Sequence, residues 1–243
     1  MGTTLDTPFV ALIAHEMRSP LSTIRGAVAL LGDHHERLSA ERRGELLGVI
    51  DDSTLQIDRV IQDLMVLSGL NDGALAIESI DVDLVKIVRD VASALNSRFP
   101  ERVVMIALED DVPAVYADEI RVRQIVTNLV VNAISYSQET STVIVSIVRD
   151  GDCVRASIFN EGHGIPPSEQ AKLFTPFAVL SERTAESTGL GLFIAKGLVE
   201  AMHGTIGFST QPGEHVLFWF TLPIGRGAGS TPPVGEKRMD ALR

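Results

Sequence analysis

Two heptad-like apolar seams near the start of the chain restrict its fold more than any other feature. Met17, Leu21, Ile24, Val28 and Leu31 are spaced four, three, four and three residues apart, which puts them on one stripe of a helix. Leu46, Ile50, Ser53, Ile57, Val60, Leu64 and Leu67 repeat the pattern. Between the seams, Gly32-Asp33-His34-His35 reads as a turn and Ser39 as the N-cap of the second helix. Two antiparallel helices with one seam each cannot enclose a core. They most simply pair with a second copy as a dimeric four-helix bundle; packing of the hairpin on the rest of its own chain is the alternative.

Asn71-Asp72-Gly73 ends the second helix and marks a domain boundary. Beyond it the period changes. Strands are predicted over Leu75–Ile80, Val103–Leu108, Thr142–Arg149, Val154–Asn160, Thr205–Ser209 and Val216–Leu222. Helices are predicted over Asp83–Asn96, Asp118–Tyr136, near Ser168–Phe174 and over Leu190–Met202. Asp150-Gly151-Asp152 joins two of the strands as a hairpin. The pattern is α+β, with an antiparallel-leaning sheet and helices gathered on one face. After Pro223 the Gly/Pro/Ser-rich tail has no periodicity and is expected to be disordered. The expected division is therefore 1–72, 73–223 and a tail over 224–243.

Composition narrows the function. The net charge is 21 − 32 = −11, and an acidic surface repels phosphate backbones, which argues against nucleic acid and against anionic membrane as partners. Cys153 is the sole cysteine, so disulfide scaffolds and multi-cysteine zinc sites are excluded. No apolar run approaches the roughly 20 residues of a membrane span, and the start lacks a basic segment of the signal-peptide kind. A cytoplasmic chain is expected. Its opening directly on a helix suggests a piece of something longer.

Several residues could carry chemistry. With about 100° per residue, His15 falls almost opposite the first seam, out in water. A histidine there is ordinarily just a surface residue, but Glu16 can orient the imidazole or take its proton, and Pro20 removes an amide one turn on, which should kink the helix. Asn128 and Asn132 lie four apart and share a helix face; neutral amide oxygens suit Mg²⁺ only when phosphates supply most ligands, and a solvated polar stripe is the plain reading. Gly162-His163-Gly164-Ile165 follows a strand, and Gly189-Leu190-Gly191-Leu192 opens a helix, so each glycine pair lets backbone amides approach a phosphate or ring. Either pair alone could be an ordinary turn. Neither a P-loop nor a G-x-G-x-x-G fingerprint occurs. Ser181–Thr188, between the glycine pairs, has the polar composition of a nucleotide lid.

In order, these segments resemble the motifs of sensor histidine kinases. His15-Glu16-Met17-Arg18-Ser19-Pro20-Leu21 looks like the H-box and Asn128-Leu129-Val130-Val131-Asn132-Ala133 like the N-box. The Gly162/Gly164 and Gly189/Gly191 loops look like the two G-boxes, with Leu173-Phe174-Thr175-Pro176-Phe177 like the F-box between them. The resemblance covers roughly 8–69 and 75–223. It implies a homodimeric phosphotransfer bundle followed by an α/β-sandwich ATP-binding domain shared with gyrase and mismatch-repair ATPases. It implies that His15 accepts the γ-phosphoryl group with Glu16 as base, and that a response-regulator receiver domain takes it on. ATP would be held by Asn128, Asn132, Tyr136, Asn160, Gly162, Gly164, Ile165, Phe177, Arg183, Thr188, Gly189, Leu190, Gly191 and Leu192, with Mg²⁺ on Asn132 and Asn128.

Four positions depart from the family's pattern. Asn160 stands where Asp is usual, which predicts weaker ATP binding. Ser135 replaces a lysine facing phosphate, for which Arg183 could substitute. His163 stands where Pro is common and reads as an exposed loop residue. Ser19 lies where Thr or Asn often serves dephosphorylation of the partner. Outside the motifs, His34-His35 reads as an exposed turn and Trp219 as packing. The competing readings are a degenerate phosphotransfer or scaffold dimer that does not use ATP, and a non-kinase ATPase of the same superfamily.

Overall fold

The computed structural model describes residues 7–33, 38–109, 111–138, 141–176, 178 and 189–225. α1 (Thr7–Asp33) and α2 (Ala40–Asn71) form the helical hairpin the seams predict, about 40 and 48 Å long at 1.5 Å per residue. α1 continues through Pro20. Ser39 caps α2 as expected, its hydroxyl accepting from the Arg42 amide at 3.1 Å. The seam of α2 packs as predicted: Leu46, Ser53, Val60 and Leu67 are buried. That of α1 is rotated by one residue. Pro20 and Ala27 are buried, whereas Leu21 and Val28 stand 47% and 54% exposed. The compact side chains allow the two backbones to approach, so they take the centre of the contact and the branched ones its shoulder. Leu47, Leu55, Ile61 and Met65 of α2 are also exposed.

The remainder runs β1 (Ile80–Val82), α3 (Leu84–Arg98), β2 (Val103–Leu108), β3 (Val115–Ala117), α4 (Glu119–Tyr136), β4 (Thr142–Asp150), β5 (Cys153–Glu161), α5 (Pro167–Gln170), α6 (Gly191–Ala201), β6 (Thr205–Gln211) and β7 (His215–Pro223). The main sheet has the order β2-β4-β5-β7-β6, with β2 parallel to β4 and every other pair antiparallel. β1 and β3 pair separately. Period-two alternation sends Val143, Val145 and Ile147 of β4, Val154, Ala156 and Ile158 of β5, and Phe218, Phe220 and Leu222 of β7 into the core. α4 covers them with Val122, Ile125, Val126, Leu129 and Val130, all at most 1% exposed. Trp219 alternates to the other face, where the Arg155 guanidinium lies 4.5 Å from its ring centroid.

Three expectations needed adjustment. The strand expected over Leu75–Ile80 starts only at Ile80, because the preceding amides are engaged elsewhere. Ala74 and Leu75 donate to the Gly69 carbonyl at 2.9 and 3.1 Å, and Glu78 donates to the Asp118 carboxylate at 3.1 Å. The helix expected near Ser168–Phe174 is the single turn α5 followed by i→i+3 turns, with Lys172 bonded to Glu169 and Thr175 to Lys172. β3 was not foreseen; three residues are too few for a period.

Asp118 organises the approach to the site. Its Oδ1 caps α4 by accepting from Ile120 and Arg121 at 3.0 and 3.1 Å, while Oδ2 holds the segment leaving the hairpin through Glu78. The hairpin also touches the sheet domain directly. Asp52 of α2 pairs with Arg98 of α3 at 3.0 Å, and Gln124 of α4 donates to Asp63 of α2 at 3.3 Å. Leu70 closes on Gly197 of α6, where an added Cβ would lie within about 3 Å of the leucine side chain. At the other end of the chain, Ile224 and Gly225 still bond to Asp152 and Ala114, at 3.0 and 2.7 Å.

Candidate functional site

The alternation that buries Val154, Ala156 and Ile158 carries on to Asn160, which is 2% exposed at the end of β5. Its Nδ2 donates to the Glu161 carbonyl at 3.4 Å. The residue sits in a cavity with Ile165, Val216 and Phe218 on the apolar side, His163, Gly164 and Glu169 at the loop, and Asn132 and Tyr136 from α4. Apolar walls around one buried amide suit a flat heteroaromatic ring with a polar edge. The Gly162–Ile165 loop is tied to the β6–β7 turn: Gly162 donates to the Glu214 carbonyl at 3.0 Å, Gly213 to the His163 carbonyl at 2.7 Å, and Ile165 to Thr210 Oγ1 at 3.0 Å. Close approach explains the two glycines. An added Cβ at Gly162 would lie 2.5 Å from the Tyr136 carbonyl oxygen, and Gly164, at φ +69°, has the Gln211 carbonyl oxygen at the same distance. His163 is exposed, as expected, but it lines this cavity.

A second cavity adjoins the first at Asn132 and Tyr136, which line both. Asn128, Asn132 and Tyr136 follow one another at four-residue steps on the same face of α4. Asn128 Nδ2 donates to the Gly191 carbonyl at 3.3 Å and so fixes the first turn of α6 beside the cavity. Gly189 needs glycine for its φ of +67°; Leu190 is buried behind it, and Gly191 and Leu192 line the space. The first amides of α6 have no side-chain cap, which leaves a helix N-terminus facing a polar opening. Ser135 lines the cavity too, with its hydroxyl turned back onto the Val131 carbonyl at 2.8 Å.

The opposite wall is the hairpin. Glu16 of α1 and Gln56, Arg59, Val60 and Asp63 of α2 face the same space as the two asparagines and the second glycine pair. His15, beside Glu16, is exposed, and Ser19 is half-buried one turn on. Thus residues more than a hundred positions apart in the sequence converge where α1, α2, α4 and α6 meet. Phe177, Arg183, Thr188 and the His34-His35 pair lie outside the described residues. Among the described residues no three His, Cys, Asp or Glu side chains cluster as a metal site. A divalent ion at the asparagines would therefore draw most of its ligands from phosphate oxygens.

Sequence reasoning missed Arg59 and Asp63. They flank the α2 seam at an i, i+4 spacing common on any exposed helix, and only the docking of α2 on the following domain buries Asp63 and half-buries Arg59. Asp63 is 3% exposed. Burial lifts its carboxyl to about 6, against the opposing influence of the Gln124 hydrogen bond and the Arg59 charge. A carboxyl raised in the folded state binds its proton more tightly there than in the unfolded chain. The stability it confers is present below its ordinary value of 3.8 and is lost as pH rises through about 6, a change of order 3 kcal/mol. Asp63→Asn is expected to remove that component. Between about pH 4 and about pH 8 the Tm of the variant should fall less than that of the wild type; parallel profiles would refute the assignment.

Residues 7–73 match the His Kinase A (phospho-acceptor) domain, and residues 117–226 match the histidine kinase-, DNA gyrase B-, and HSP90-like ATPase family. Two-component system protein A of Emericella nidulans is 33% identical over 242 residues, covering 94% of this chain and 35% of that protein. Among solved structures, the histidine kinase AdeS of Acinetobacter baumannii superposes with a TM-score of 0.64 at 25% identity, over 86% of this chain and 98% of that one. Full-length ShkA, solved in complex with AMPPNP, superposes with a TM-score of 0.62 at 31% identity, over 88% of this chain and 45% of that one. The chain spans 35% to 59% of the length of the first three curated relatives it matches. No helix among the described residues is long and apolar enough to cross a membrane. With a phospho-acceptor hairpin and a gyrase-like ATPase fold joined in that order, this chain belongs to the histidine kinase family.

Proposed function

We propose that the chain transfers the γ-phosphoryl group of ATP to His15 and then to an aspartate of a response-regulator receiver domain. The observation that carries this reading is the shared cavity: Glu16, next to His15, faces the same space as Asn128, Asn132, Gly189 and Gly191. The adenine would enter the apolar cavity with its amine toward Asn160. The phosphates would extend past Asn132 and Tyr136 toward the first turn of α6. Mg²⁺ would neutralise phosphate charge from a position beside Asn132, helped by Asn128. The nucleotide complex of ShkA supports the same class of ligand.

In the transfer, an imidazole nitrogen of His15 attacks the γ-phosphorus in line with the bond to the β-phosphate oxygen. The N–P bond forms as the P–O bond breaks, and the electron pair leaves with ADP. The proton on the other ring nitrogen passes to Glu16, which leaves a neutral phosphoimidazole. Phosphoryl transfer requires little more than in-line positioning and charge neutralisation; Glu16 on the cavity wall places the adjoining His15 beside the space the phosphates would occupy. Receiver docking then uses the face of α1 that carries His15, which is exposed.

The hairpin spans 1–72 and the ATP-binding domain 73–223 in this reading, with a second copy covering Leu21, Val28, Leu47, Leu55, Ile61 and Met65. These apolar side chains lie exposed along both helices, and a four-helix bundle is the simplest way to bury them. The test is incubation with Mg²⁺ and γ-labelled ATP. Acid-labile, base-stable label on the chain is the expected result. Absence of label together with absence of nucleotide binding would overturn it in favour of a scaffold dimer.

A further inference from the structure

Arg59 is the only cation among the described residues lining the cavity between the hairpin and α6; Glu16 and Asp63 are its acidic members. A triphosphate brings several negative charges into this space, and the α4 residues that line it, Asn128, Val131, Asn132, Ser135 and Tyr136, are all uncharged. The guanidinium is half-buried. Burial and the charge of Arg98 both lower its pKa, with only the charge of Asp63 opposing them. Asp63 acts on it only as a neighbouring charge, while its Oδ1 accepts from Gln124 across the interface. The five N–H donors of Arg59 are thus carried into a partly desolvated, polar space with Asp63 nearby and no salt bridge to it among the described residues. An anion arriving there would relieve an unfavourable placement rather than create one.

The order of residues along the two cavities says which part of a nucleotide would meet it. Asn160, Ile165 and Phe218 line only the first cavity, Asn132 and Tyr136 line both, and Arg59 and Glu16 line only the second. A base at the Asn160 end therefore directs the phosphate chain toward Arg59. We propose that Arg59, supplied by the hairpin and not by the ATP-binding domain, contacts the terminal phosphate of the bound nucleoside triphosphate. Binding of the triphosphate then tethers the docked hairpin to the ATP-binding domain through the nucleotide, a contact that the shorter diphosphate does not make. This inference rests on the site being the nucleotide site of the preceding reading.

Isothermal titration of the full chain with the β,γ-imido analogue of ATP and with ADP, each with Mg²⁺, tests it. Arg59→Ala is expected to weaken binding of the triphosphate analogue about tenfold, with ADP changed less than about twofold, and Arg59→Lys to recover part of the loss. A variant that loses both ligands equally, or neither, overturns the proposal while leaving the nucleotide site in place. A wild-type chain that binds neither ligand overturns both.

Discussion

His15→Ala is expected to take up no acid-labile label from γ-labelled ATP while binding nucleotide as the wild type does. His15 is exposed on α1, so truncation opens no cavity and should alter stability by no more than about 0.5 kcal/mol. What the variant lacks is the imidazole to which the N–P bond is assigned. The neighbours cannot disguise the loss: a phosphoserine at Ser19 would be acid-stable, and Glu16 would give an acyl phosphate cleaved by base. The label should fall by more than about 10⁴-fold, beyond the roughly 10²–10⁴-fold that removal of a merely assisting acid or base causes. Two outcomes would refute the assignment. Acid-labile, base-stable label on the variant would place the acceptor elsewhere, and ATP turnover on an unlabelled wild type, unchanged in the variant, would favour an ATPase that is no kinase.

Gly164→Ala is expected to reduce nucleotide affinity by about a hundredfold or more, equivalent to at least about 2.7 kcal/mol. Two costs coincide there. The backbone has φ +69°, which an alanine adopts at a cost of about 1 kcal/mol. Its Cβ would also fall 2.5 Å from the Gln211 carbonyl oxygen and 2.7 Å from the Pro212 Cα, both backbone atoms that cannot swing aside. The loop must therefore move away from the β6–β7 turn, and it carries His163 and Ile165 out of the first cavity with it. Gly151→Ala is the matched control. Its φ of +61° imposes the same conformational strain in the β4–β5 turn, but nothing lies within 4 Å of the added Cβ. That variant should lose about 1 kcal/mol of stability and none of its affinity for nucleotide. Equal affinities for the two variants would remove the loop from the site.

The two glycine loops were legible in the sequence because glycines mark backbone constraints that are local. Asn160 was legible for a similar reason: alternation along β5 decides which face it joins before any partner strand is known. Of the motif residues, Asn128, Asn132, Tyr136, Gly164, Ile165, Gly189, Gly191 and Leu192 do line the two cavities. Local pattern was less informative where segments are held by distant groups. The stretch Leu75–Glu78 looked like a strand, but Gly69 and Asp118 claim its amides.

From the sequence alone came the hairpin, the α+β domain after it, the capping of α2, the outward placement of His15 and the identity of the glycine loops. All of these follow from short-range periodicity and backbone sterics. Tertiary structure alone decided that Pro20 and Ala27, not Leu21 and Val28, form the centre of the α1 contact, since that depends on how closely two helices approach. It also decided that Asp63 leaves solvent and that Arg59, half-buried, joins it in the wall of the site. No periodicity along α2 could announce that role, because it arises from Gln124, some sixty residues away, and from the burial that docking against α4 imposes.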